Sequence, residues 1–328
     1  GEITAGAGYG SSGSTFIVGI KENNFKGDGI KLDANLALTE ESIRGKLSYT
    51  TPNFAYSDNS LTTSIESTST DKEKDYGYKS SLNKILLGTS YEQYQNLYFS
   101  PSFSVSLEEL TTTANASSNY KKQEGSYFDT LLNYSISYNT LNSSFRPSKG
   151  LVSIFSQELP VLSDGYNIIN GYQVTGYKEV ANDSILSVGV YTRAVNTLTS
   201  GEDVRVSKRM FLPSSRLRGF EPGKIGPKDG ADFVGGNYMA SFNTALSLPF
   251  LFPTYDNLDF SIFFDAANVW HVDYSKNVDQ GNSIRSSTGI GLNLITPVGP
   301  LSFSVAQPIT KQDGDVTETV RFNLGTTF

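Results

Sequence analysis

Few residues in this chain have the chemistry to make or break bonds. The single histidine, His271, follows Trp270 at the end of a strand-like run, and the sequence contains no cysteine. Triads and metal sites built on histidine would all need that one imidazole, and thiolate sites and disulfides are excluded. An aromatic with a polar neighbour at a strand end is ordinary for a membrane–water interface, so His271 reads as structural. The adjacent carboxylates Glu40-Glu41 and Glu108-Glu109 fall on opposite faces of a strand and read as solvated. Gly8-Tyr9-Gly10-Ser11-Ser12-Gly13 has the spacing GxGxxG, but a dinucleotide site needs a helix after those glycines. Here Phe16, Val18 and Ile20 alternate instead, which reads as a glycine-rich strand and hairpin. No catalytic residue, metal-ligand set or cofactor site emerges, and the expectation is that the chain is not an enzyme.

One cationic stretch stands apart. Between Thr199 and Val234 runs a connection without periodicity, of a length that is usually functional or disordered. Within it, Pro213, Pro222 and Pro227 with Gly219, Gly223 and Gly226 punctuate Arg216, Leu217, Arg218 and Phe220, which predicts a rigid tongue with cationic and apolar side chains at its tip. An acceptor is suggested by parity: in Leu258 to Asp265 the even positions are apolar, so Asp265 shares the other face with Asp259 and Ser261. A guanidinium folded toward that face would meet a carboxylate.

The elements that must position these residues are strands. Period-two alternation recurs from Ile30–Leu38 through Leu301–Val305 to Val320–Leu324. Aromatics reach 12% while Met is nearly absent, which suits strands and turns over helices. Turn signals separate the runs: Asp28-Gly29, Thr51-Pro52-Asn53, Arg146-Pro147-Ser148, Asp164-Gly165, Asn170-Gly171, Asp229-Gly230 and Asp313-Gly314. Polar low-complexity stretches at Ser64–Lys74 and Thr111–Lys122 read as strand ends and exposed loops. No window of eighteen apolar residues occurs, so any membrane crossing would use strands. About sixteen strands of roughly ten residues fit an all-β, transmembrane antiparallel barrel with a polar lumen. The alternative is a large soluble β-sandwich or propeller, although no blade-like repeat is visible. The net charge of −7 offers no basic stripe, so nucleic acid is not an expected partner.

The motifs in order carry a family resemblance. Leu217-Arg218-Gly219-Phe220 resembles the V-R-G-F motif in the sixth extracellular loop of the BamA family of outer-membrane barrel assembly proteins. Gly235-Gly236-Asn237, Phe264-Asp265-Ala266-Ala267-Asn268-Val269-Trp270 and Thr296-Pro297-Val298-Gly299-Pro300-Leu301 are similar to the strands that follow it. Asn24-Phe25-Lys26-Gly27-Asp28-Gly29 resembles the family's N-F-x-G-x-G turn, and Phe328 its terminal aromatic.

The resemblance covers the whole chain, 1–328, and implies a sixteen-stranded barrel domain with loop six at about 199–234 folded inward and POTRA domains upstream. It implies an insertase in a Gram-negative outer membrane that receives unfolded outer-membrane proteins from periplasmic chaperones and works with accessory lipoproteins of an assembly complex. Insertion would proceed at a lateral gate between first and last strands beside thinned lipid, with no covalent chemistry. Gly6, Gly8 and Gly10, with Gly325 and Phe328, fall at that gate, and the glycines supply a physical reason for a weak seam. The family's loop anchor carries over to Arg218, Gly219, Phe220 and Asp265. A second acidic position is Ala245 here, leaving Asn243 to assist. Alternatives within the same motif are a TamA-like or two-partner secretion barrel. From a different class comes a passive porin-like channel, which predicts an open, charge-lined lumen.

Overall fold

The computed structural model describes the chain apart from residues 145, 182, 253, 255, 256, 274–277, 279, 297, 298 and 326–328. In chain order the strands are β1 (Glu2–Gly10), β2 (Gly13–Phe25), β3 (Ile30–Thr39), β4 (Ser42–Thr51), β5 (Ser60–Lys72), β6 (Tyr78–Tyr94), β7 (Leu97–Thr112), β8 (Gly125–Asn139) and β9 (Gly150–Ser163). They continue with β10 (Asn167–Ala181), β11 (Ser184–Thr197), β12 (Lys228–Asp229), β13 (Asp232–Phe233), β14 (Tyr238–Ser247), β15 (Leu258–Trp270), β16 (Arg285–Thr296), β17 (Gly299–Thr310) and β18 (Val320–Leu324). All but β12 and β13 form one closed antiparallel barrel of sixteen strands, each beside its neighbour in sequence, with β1 meeting β18 to close the ring. The remaining two make a small hairpin inside the long connection between β11 and β14.

Alternation decides which way each side chain points, and burial runs inside-out relative to a soluble protein. Phe16 (54% exposed), Ile85 (55%) and Ile262 (46%) stand on the outer wall. Asp265, Ser287 and Asp129 point inward and are buried. A sandwich would bury its apolar rows between two sheets; this barrel turns them outward, as a wall facing hydrocarbon must.

The lumen is filled by the β11–β14 connection. Leu217, Phe220 and Ile225 pack with Val195, Met239 and Val269 of the wall into one apolar cluster. A second cluster joins Phe233 and Val234 to Tyr76 and Tyr120 over the barrel mouth. Tyr76 belongs to the short helix α1 (Glu73–Tyr76) and Tyr120 to α2 (Ser118–Lys121), whose first turn is capped by the Ser117 hydroxyl accepting from Tyr120 N at 3.3 Å.

Three local expectations are corrected. Asn170-Gly171 is not a turn: both lie within β10, where Gly171 faces Ser156 and a Cβ would meet Ser156 Oγ at 2.7 Å. The glycine there serves close approach across the ladder rather than chain reversal. The stretch after Thr112 is no exposed loop, since Tyr120 is fully buried and donates its hydroxyl to Phe233 O at 3.4 Å. Ser64–Lys74 holds no exposed loop: it comprises the second part of β5, which ends at Lys72, and the start of α1.

Candidate functional site

The tongue is fixed to the wall by a bidentate ion pair. Asn243 of β14 and Asp265 of β15 are direct register partners on the inner face. Arg218 Nε donates to Asp265 Oδ2 at 2.7 Å and Nη2 to Oδ1 at 2.8 Å, while Arg218 N also reaches Oδ2 at 3.1 Å. The Asp265 side chain is fully buried and that of Arg218 is 24% exposed. Asn243 Nδ2 donates to Asp265 Oδ1 at 2.8 Å and to Arg216 O at 2.9 Å, so it holds acceptor and tongue backbone together. Four hydrogen bonds thus converge on one carboxylate, the arrangement that keeps a buried charge tolerable.

Neighbours narrow the geometry further. The guanidinium carbon of Arg218 sits 3.4 Å from the Phe263 ring centroid, a cation–π contact in a site shielded from water. Ser287 donates its hydroxyl to Arg218 O at 2.5 Å. Gly219 has φ +90, and a Cβ there would stand 3.1 Å from the Ala306 side chain, so both conformation and space demand glycine. Phe220 is buried in the lumen cluster. Arg216 turns the other way, donating to Gln173 Oε1 at 3.0 Å and stacking 4.4 Å from the Tyr191 ring centroid. Ala245 lines a lumen cavity of about 310 Å³ with Arg218 and Asp259, and supplies no carboxylate.

Sequence reasoning missed two further anchors. Arg205, near the start of the connection, is buried against Asp129 and lies 3.4 Å from Glu108 Oε2, while Lys208 Nζ reaches Asp129 Oδ2 at 2.8 Å. Glu108 is therefore not solvated: it faces the lumen and is 8% exposed, whereas Glu109 points outward. Arg285 makes a bidentate pair with Asp315 at 2.9 and 3.0 Å. The available signal was parity, because charged residues inside strands on an inward face need partners. Phe263 was legible in the same way, as an aromatic out of phase on an otherwise polar row.

The seam between β1 and β18 differs in kind. β1 is paired with β2 from Glu2 to Gly10; among the described residues its pairs with β18 are Tyr9↔Leu324 and Gly10↔Asn323. Ser11 N donates to Phe322 O at 2.9 Å and Phe322 N returns to Ser11 Oγ at 3.1 Å. Gly6 and Gly8 lie opposite Ile17 and Thr15 of β2. A Cβ on Gly10 would run into Asn323 and the Phe322 carbonyl, and one on Gly325 (φ +93) into the Ala7 backbone. These two glycines permit close approach across the seam. Phe328 lies outside the described residues.

His271 has φ +66 and stacks on Tyr238 with ring centroids 5.3 Å apart. Among the described residues, no group of three or more His, Asp or Glu side chains is placed to hold a metal ion.

A closed barrel with an apolar outer wall, its lumen stopped by its own anchored loop, has the form of a transmembrane β-barrel. The chain matches the Omp85 superfamily domain over residues 24–328 and belongs to that superfamily. It is 26% identical over 245 residues to the outer membrane protein assembly factor BamA of Neorickettsia risticii, covering 73% of this chain and 33% of that protein. It is 27% identical over 221 residues to the sorting assembly machinery 50 kDa subunit of Saccharomyces cerevisiae, covering 63% of this chain and 44% of the relative. The chain thus spans less than half the length of these two curated relatives. Its fold superposes on a crystal structure of Haemophilus ducreyi BamA lacking POTRA domains 1–3 with TM-score 0.91 and 27% identity, covering 100% of this chain and 70% of the other.

Proposed function

We propose that this barrel folds and inserts other β-barrel proteins into a bacterial outer membrane, by parting β1 from β18 and offering the freed edges to an incoming strand. The observation that carries the reading is the seam: β1 is paired with β2 along its whole length, while among the described residues its pairs with β18 are those of Tyr9 and Gly10. An edge that opens without unfolding its own hairpin can template a new strand by backbone hydrogen bonding. Membership in the superfamily and the fold shared with BamA support it. Unfolded outer-membrane chains are the proposed substrates, delivered by periplasmic chaperones. Accessory lipoproteins are the proposed partners, and POTRA domains upstream complete the working protein. The task needs strand exchange and lipid disruption, with no covalent step and no cofactor. A passive channel is disfavoured because Leu217, Phe220 and Ile225 occupy the lumen.

The test uses the lack of cysteine in this sequence. Tyr9 and Leu324 are direct register partners; such pairs lie about 4.5–5.5 Å apart at Cα, within reach of a disulfide. Tyr9→Cys with Leu324→Cys in the full-length protein, oxidised, is expected to stop assembly of a test barrel in lipid vesicles, with recovery on reduction. Undiminished assembly with the seam locked would move the working element to the lumen or to the upstream domains.

A further inference from the structure

The tongue does not end at its anchor. Beyond Gly219 it runs antiparallel to the segment that leads into β18, with Phe220 bridged to Thr317. Glu221 N donates to Val316 O at 3.0 Å, Val316 N to Lys224 O at 3.2 Å and Glu318 N to Gly219 O at 3.0 Å. The same segment is tied to the wall by Arg285–Asp315 and to the tongue's hairpin by Lys228 Nζ donating to Gly314 O at 3.1 Å. Three residues later, Arg321 of β18 is buried, with Nη1 2.5 Å from Glu318 Oε2 and Nη2 donating to the hydroxyl of Ser12, in the turn between β1 and β2. One guanidinium therefore spans the seam, one hand on the segment the tongue holds and the other on the first hairpin. Beside it lie the described backbone contacts of the seam, at Tyr9 to Ser11.

We propose that Arg321 is the pin of a hinge: with Glu318 and Ser12 it fastens the tip of β1 to the root of β18 and, through residues 316–318, to the tongue. Full separation of the two strands requires that this clasp be broken. Arg321 is a positioning residue in this scheme. The inference rests on the gate reading above, and it names a contact that must give way before the seam can open fully.

The test is amide exchange on the full-length protein in lipid vesicles, read on peptides covering residues 8–13 and 320–325, with β6–β7 peptides as internal reference. Arg321→Ala is expected to speed exchange at Ser11 and Phe322 about tenfold, the effect of losing a hydrogen-bonded charge, and to leave β6–β7 unchanged. Glu318→Gln keeps the size of the side chain and should produce a smaller acceleration at the same amides. Unchanged exchange at Ser11 and Phe322 would overturn the clasp, as would equal acceleration throughout the barrel, which would make Arg321 a general stabiliser. Assembly of a test barrel, followed in the same vesicles, separates the two claims. Faster exchange with unaltered assembly leaves the clasp standing and removes the gate; unchanged exchange removes the clasp whatever assembly does.

Discussion

The tongue anchor and the seam use the same kinds of bond at opposite densities. At Asp265, two guanidinium nitrogens, a backbone amide and the Asn243 amide meet on one buried carboxylate, beneath an aromatic ring and beside a glycine that admits no side chain. At the seam, among the described residues, two backbone pairs and a few serine and arginine contacts join β1 to β18. The first arrangement has many bonds that must break together; the second can be undone in steps. Contiguous regions with few protected backbone bonds open at lower free energy than the rest of a molecule, and the proposed function assigns that part to the seam.

Breaking the strong side should have the largest effect. Asp265→Ala leaves Arg218 without its carboxylate in a partly buried site and is expected to cost up to about 3–5 kcal/mol, read as a lowered urea midpoint of the folded barrel. An unchanged midpoint would mean that apolar packing alone retains the tongue. Arg218→Ala should likewise impair assembly more than Arg216→Ala, whose partners are a neutral amide and a ring; equal tolerance would sink the anchor. Next comes the unforeseen cluster. Arg205→Met removes one cation from Glu108 and Asp129 but leaves Lys208, so a loss of about 2–3 kcal/mol is expected by the same denaturation. At the seam, Gly10→Ala forces a Cβ into the β18 backbone and should cost about 1–3 kcal/mol, concentrated in faster amide exchange of residues 8–13. Gly45→Ala is the control: a Cβ there meets nothing within 4 Å, and the barrel should hardly respond.

The smallest effect expected is a pH dependence at the mouth. Burial, and then the neighbouring charge of Asp229, holds the Asp232 carboxyl above its ordinary value of 3.8. A raised acid binds its proton more tightly when folded, so the β12–β13 hairpin gains stability as pH falls through the raised value and loses it as pH rises from 3.8 through that window. Asp232→Asn should therefore protect the amides of residues 228–233 at pH 7 and abolish their pH response, after correction for intrinsic exchange rates. A response that persists in the variant would assign it to another group.

Much of the wall was legible because strand alternation is local. Each residue's face follows from its neighbours two positions away, and parity alone placed Asp265 and Asn243 inward. The same logic failed at Asn170-Gly171, where a turn dipeptide lies in mid-strand because Ser156 crowds it. It also failed at Tyr120, whose polar surroundings in sequence conceal an apolar contact with Phe233 and Val234. Arg205 with Asp129, 76 positions apart, and Arg285 with Asp315 were beyond its reach. The sign of a charge in a sequence does not say which opposite charge lies across a lumen.

By itself, then, the sequence determined the strands, their inward and outward faces, the position of the tongue and the residues able to anchor it, because propensity, period and turn chemistry act over a few residues. Only the tertiary structure decided that the tongue and the mouth loops share a core, that Gly10 and Gly325 sit where backbones nearly touch, and that Arg321 reaches Ser12 across the seam. Those features depend on ring closure, which brings residues 8–12 against 321–325 across the full length of the chain, and no local pattern carries information about that meeting.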